Sequence, residues 1–106
     1  MVEQGDIILI NFEPIVGHEQ GRKRPAVVIS NNEYNKLTQL VVVCPISSSA
    51  KNFPTHIPLD ERTKTQGVVL CQHIRTLDIN SRGYKFFEKI PPDILEKVKE
   101  IYKLII

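Results

Sequence analysis

The chain has 106 residues, of which 42% are hydrophobic and 25% charged, and a formal net charge of +2. That length predicts one domain spanning 1–106 with a core that needs no staples, and the composition excludes a disordered tail. A balance of +2 excludes nucleic-acid binding through overall charge, so any such role must come from where the charges sit.

Six stretches read as strands. The first is "DIILINF" (6–12), bounded by Gly5 and by Glu13-Pro14. "AVVISN" (26–31) follows a polar, basic loop, and "LVVVCPI" (40–46) is β-branched almost throughout, with Pro45 marking an edge or a bend. "THIPL" (55–59) is short and carries the proline of an edge strand. "GVVLCQHIRTLDI" (67–79) is too long for one flat strand and is expected to bend in its middle. "YKFFEKI" (84–90) follows the turn signal "NSRG" (80–83).

The period then changes. Ile94, Leu95, Val98, Ile101, Tyr102 and Ile105 fall on one stripe of a 3.6-residue repeat, which predicts a helix within 91–106 that covers the open end of the sheet. Pro91 and Pro92 suit its first turn, and Asp93 and Glu96 suit the positive end of its dipole. Short strands and a terminal helix predict a mainly β fold, a small, strongly bent antiparallel sheet or barrel.

Cys44 and Cys71 sit inside apolar runs without C-x-x-C spacing and read as buried, reduced thiols, which fits a cytoplasmic protein. No apolar run approaches the roughly 20 residues that span a bilayer, and no leader-like segment opens the chain. No membrane is expected among its partners. His18, His56 and His73 with the two cysteines show no familiar ligand spacing, so no metal and no cofactor are expected.

The chemistry concentrates in "GHEQGRKRP" (17–25). Arg22, Lys23 and Arg24 outweigh Glu19, and a second basic excess gathers around Arg75, Arg82, Lys85 and Lys89. Brought together by the fold, the two would make a groove for a phosphate backbone; apart, each is a solvated face. Pro25 biases Arg24 towards extended backbone. Its planar donor fork then leaves the chain at a fixed place suited to a bidentate phosphate contact, or simply caps a sheet edge. His18 and Glu19 are an acid–base pair on a glycine-hinged loop. "ISSSAKNFP" (46–54) is either a plain turn or a source of hydroxyl donors beside Lys51, with Phe53 as a stacking surface for a base.

Together, "GDIILINFEPIVGHEQGRKRPAVVIS" and "TQGVVLCQHIRTLDINSRG" resemble the two signature regions of the MazF/PemK/Kid toxin family, in order and over nearly the whole chain. The resemblance implies a small SH3-like antiparallel β-barrel with a C-terminal helix, of the plasmid-maintenance toxin type, and a homodimer. It implies the toxin of a type II toxin–antitoxin system, a metal-independent, sequence-specific endoribonuclease that cuts single-stranded mRNA. The RNA's own 2′-hydroxyl attacks, leaving a 2′,3′-cyclic phosphate and a 5′-hydroxyl. The partner it implies is a cognate antitoxin with an acidic C-terminal tail.

Carried over by motif, Arg24 matches the family's catalytic arginine before proline, and Ser47 stands where a catalytic threonine is usual. Glu19 matches the acid of G-x-E-Q, and His18 the histidine of the plasmid-borne branch. Leu70 and Gln72 replace an arginine and an aspartate of that branch, so proton transfer is assigned to His18 and Glu19, with His73 as a second candidate. The RNA-contacting candidates are Gln20, Arg22 and Lys23 in the loop, Ser48, Lys51 and Phe53 after the third strand, and Gln72, Arg75, Arg82 and Lys85 beyond. Two alternatives remain: an RNA-binding barrel that has lost catalysis, and a gyrase-poisoning toxin of the same fold. The absence of tryptophan and the ending "KLII" speak against the second.

Overall fold

In the computed structural model, residues 2–12 and 23–106 are described. The first strand, β1 (Asp6–Asn11), shows why its sequence is a continuous apolar run instead of an alternating one: it is covered on both faces. Ile8 and Ile10 point into one core with Ala26, Val28, Val41, Val43, Leu77 and Ile79. Ile7 points the other way, into a second core with Val27, Cys44, Ile46, Val69 and Cys71.

The remaining strands are β2 (Lys23–Val28), β3 (Val41–Ser47), β4 (His56–Pro58), β5 (Val68–Leu70), β6 (Arg75–Leu77) and β7 (Tyr84–Lys89). They form one antiparallel sheet in the order β4-β5-β3-β2-β1-β7, with β6 also beside β3. The expected barrel is left open here among the described residues, although the fold class is the expected one. The bend lies at β3, which pairs β6 through Val41–Val43 and β5 through Ile46 and Ser47.

Two readings of the sequence need correction, and a third holds. The second strand begins at Lys23, so Lys23, Arg24 and Pro25 belong to β2 and not to the loop before it. Pro25 is accommodated there because β3 joins β2 only from Ala26 onward, outside the proline's position. The long stretch 67–79 divides into β5, a 3₁₀ turn at Cys71–His73 and β6, as its length demanded. The "NSRG" turn is largely a short helix, α2 (Ile79–Arg82), whose first N–H groups are accepted by Asp78.

A further helix, α1 (Asn32–Thr38), has no apolar stripe to announce it. Asn31 caps it by accepting from the Tyr34 N–H, and its one buried residue is polar: Asn35, satisfied by the Ser30 hydroxyl and carbonyl. The last helix, α3 (Pro92–Ile105), buries Ile94 and Val98 in the second core and packs Leu95, Ile101 and Tyr102 against it. Ile105, the last member of the predicted stripe, is 53% exposed.

Tyr102 pins α3 to the sheet through polar contacts. Its hydroxyl donates to the Cys71 carbonyl at 2.8 Å and receives the Cys44 thiol. Both cysteines are free and buried, as expected. Burial pushes the Cys44 thiol up to about 12 and the Cys71 thiol up to about 11, so neither is a nucleophile near neutral pH.

The segment between β4 and β5 is held at both ends. Arg62 bridges Asp60 and Asp93 at 2.8 Å each, tying it to α3. Glu88 of β7 accepts from the Lys64 and Thr65 N–H groups, at 3.0 and 2.8 Å, and from the Thr65 hydroxyl at 2.7 Å. Burial raises the Glu88 pKa, but these three donors together outweigh it and hold the carboxyl below its ordinary value. A depressed folded-state pKa stabilises above the unfolded value and is lost as pH falls through the folded one. Glu88→Gln is therefore expected to lower the melting temperature at pH 7 and to shrink the loss that the wild type shows between about pH 5 and pH 3. Identical acid sensitivity in the two proteins would show that the clamp contributes nothing.

Candidate active site

Arg24 is exposed near the start of β2. On one side it faces Ile10 of β1; on the other, Ala26 faces Pro45 of β3. The β2–β3 pairing stops there, and Arg24 and Ser47 each lie two residues past that last pair. Both line a cleft of about 400 Å³, with Lys23, Ser48, Ser49 and Gln66 among its other walls. A second cleft of about 580 Å³ adjoins it through Arg24, Pro45 and Leu70, and continues past Gln72, His73, Ile74, Arg75 and Phe12. Arg24 thus stands where the two halves of one groove meet.

Ser47 is placed by backbone contact. Its Oγ accepts from the Ser49 N–H at 3.3 Å and lies 3.5 Å from the Ser49 hydroxyl. Behind it runs Gly67, at φ +124°. A Cβ there would lie 2.2 Å from the Ser47 carbonyl oxygen and 2.9 Å from the Ser48 Cα. The missing side chain lets the approach to β5 press against the serine turn.

The two basic clusters meet in part. Arg75 reaches the groove, its guanidinium 5.2 Å from the Phe12 ring centre and its Nη1 donating to the Phe12 carbonyl at 3.3 Å. Arg82 is spent elsewhere: its Nη1 donates to the Asn11 and Phe12 carbonyls at 3.1 Å each, holding the end of β1. Lys85 pairs with Leu9, on the face of β1 opposite Ile10 and Arg24, and lines neither cleft. Lys89 is bound to Asp6 at 2.7 Å, which raises its pKa. Electrostatically the groove therefore rests on Lys23, Arg24 and Arg75 among the described residues.

His73 lines the larger cleft beside Arg24. His18, Glu19, Gln20 and Arg22 lie outside the described residues. Ser48 is a wall of the smaller cleft. Lys51 and Phe53 are exposed and gather around His56, a residue that sequence reasoning weighed only as a metal ligand. The His56 Nδ1 donates to the Lys51 carbonyl at 2.7 Å, and the Phe53 ring lies 5.5 Å from its ring. Its Nε2 meets the Gln72 amide at 3.2 Å. The signal for this cluster is the β4–β5 pairing, which sets His56 across from Leu70, and no local motif carries it.

Fold and site together define a small β protein with a helix on one face of its sheet and, at its strand ends, an arginine and serine hydroxyls lining an open groove. Residues 3–106 match the family described as the PemK-like, MazF-like toxin of type II toxin–antitoxin systems, and the chain belongs to that family. The chain is 36% identical to the endoribonuclease PemK of Escherichia coli, over 92% of this chain and 76% of that protein. It is 33% identical to the endoribonuclease MazF of Staphylococcus saprophyticus, over 99% of this chain and 88% of that one. Among solved structures, MazF in a MazE–MazF complex from Deinococcus radiodurans superposes with a TM-score of 0.87 at 38% identity, covering 98% of this chain and 94% of that one.

Proposed function

We propose that this toxin is an endoribonuclease that cuts single-stranded RNA by internal attack. The 2′-hydroxyl loses its proton to a base and its oxygen bonds to the adjacent phosphorus. The bond from phosphorus to the 5′-oxygen breaks, and an acid returns a proton to that oxygen. The products are a 2′,3′-cyclic phosphate and a 5′-hydroxyl. The observation that supports this most is that Arg24 of β2 and Ser47 of the neighbouring β3 line one cleft. There the guanidinium stabilises the charge that builds on the phosphorane, and the serine hydroxyl donates to a non-bridging oxygen. His73 is within the same groove for proton transfer, with His18 and Glu19 assigned to the same work from the motif.

The groove also suits an antitoxin. Lys23, Arg24 and Arg75 along it complement an acidic tail, and the Deinococcus relative is seen with MazE. We assign the chain a homodimeric, cytoplasmic life on the strength of its family. Among the described residues, no helix is long and apolar enough to cross a membrane.

A chimeric RNA tests the chemistry. Replacing the 2′-hydroxyl at the scissile nucleotide by hydrogen is expected to abolish cleavage there, and EDTA to leave the all-RNA reaction unchanged. Cleavage of the deoxy substrate would refute internal attack. A second reading, binding without cutting, is favoured by Leu70, an apolar wall in the groove; intact RNA after long incubation would establish it.

A further inference from the structure

Around Gln72 the hydrogen bonds run in one direction. The Lys51 carbonyl can only accept, so the proton of a neutral His56 sits on Nδ1 and its Nε2 is an acceptor. The Gln72 amide nitrogen must therefore face Nε2, at 3.2 Å. Its oxygen then faces the Thr55 hydroxyl, which donates to it. Thr55, Gln72, His56 and the Lys51 carbonyl form a relay that fixes which end of the amide is nitrogen and which is oxygen. Among the described residues, one N–H and one oxygen lone pair of Gln72 remain uncommitted, and Gln72 is an exposed wall of the larger cleft, beside His73 and Arg75. Phe53, 59% exposed, packs on the His56 ring at the outer side of the relay.

An amide of fixed order distinguishes two kinds of base edge. Adenine and cytosine present an amino group beside an unprotonated ring nitrogen; guanine and uracil present a carbonyl beside a ring N–H, the reverse order. An amide free to flip by 180° serves both. The geometry points to Gln72 as a specificity-determining residue that reads one base of the bound RNA as amino or keto, with Thr55 and His56 as the positioning residues that prevent the flip. This rests on the proposal that the groove binds RNA, but not on cleavage.

The test is equilibrium binding of short 2′-O-methyl RNA oligonucleotides, which cannot be cut by internal attack and which sample every base at every position. Wild type is expected to favour one class over the other about tenfold at one position. Thr55→Val keeps the shape and removes the donor; His56→Phe keeps a ring against Phe53 and removes the acceptor. Each should reduce that preference to below about threefold while preserving the melting transition, a change in ratio that a general loss of structure would not produce. Equal binding of the two classes by wild type, a preference that survives in both variants, or no RNA binding would overturn the inference. Unmodified RNA of the preferred sequence that is bound with this preference but left intact would sink the nuclease reading alone.

Discussion

Arg24→Ala is expected to cut RNA about 10²–10³ more slowly than wild type, with little change in melting temperature. The side chain is exposed, so its removal leaves no cavity and no buried group without a partner. Its place at the junction of the two clefts, one of which Ser47 also lines, is where the proposed mechanism has charge grow on the phosphorane. A positive group fixed on a strand needs no reorganisation as that charge appears, which is why its loss weighs on the chemical step. Arg24→Lys keeps the charge and loses the planar fork, and should recover a minority of the rate. Single-turnover cleavage of one short RNA decides the matter: a rate within about threefold of wild type for the alanine variant would remove Arg24 from the mechanism.

Gly67→Ala is expected to damage both stability and activity, through contact and not through chemistry. At φ +124° an L-residue is strained, and its Cβ would lie 2.2 Å from the Ser47 carbonyl oxygen. The segment cannot easily retreat, because Arg62 ties it to Asp93 and Glu88 holds the Lys64 and Thr65 N–H groups. Yielding must then come from the Ser47–Ser48 backbone, and a displacement of about 1 Å at a reacting group costs on the order of 10² in rate. A loss of roughly 2–4 kcal/mol in folding free energy should accompany it. If the variant melts and cuts like wild type, the serine turn is not held by this contact. If it refolds stably but cuts slowly, the loss should appear mainly in kcat, since the phosphate contacts proposed for Lys23 and Arg75 would survive.

Much of this was legible in the sequence, for reasons that can be named. The strands announced themselves because β-branched runs were long and interrupted by glycine and proline. The C-terminal helix did so because six apolar residues kept one period. Arg24 could be singled out because Pro25 restricts its backbone. What the sequence hid was pairing. The shared cleft of Arg24 and Ser47 depends on β2 pairing with β3, and the Gln72–His56 contact on β4 lying beside β5; neither leaves a local pattern. Arg82 looked like a groove cation because a string of letters does not show that its donors end on the β1 carbonyls. Helix α1 was missed because its buried member is an asparagine, and apolar periodicity is blind to a satisfied polar residue.

The two-sided covering of the central strands has a consequence for how the molecule comes apart. Ile7 contributes to the layer beneath α3, while its neighbours Ile8 and Ile10 fill the opposite layer, and Val27 and Val28 divide in the same way. Neither layer can melt while the other keeps its order, since loosening β1 or β2 strips both at once. Heating should therefore give a single transition by every probe, and peeling α3 away would release the groove's own scaffold along with it.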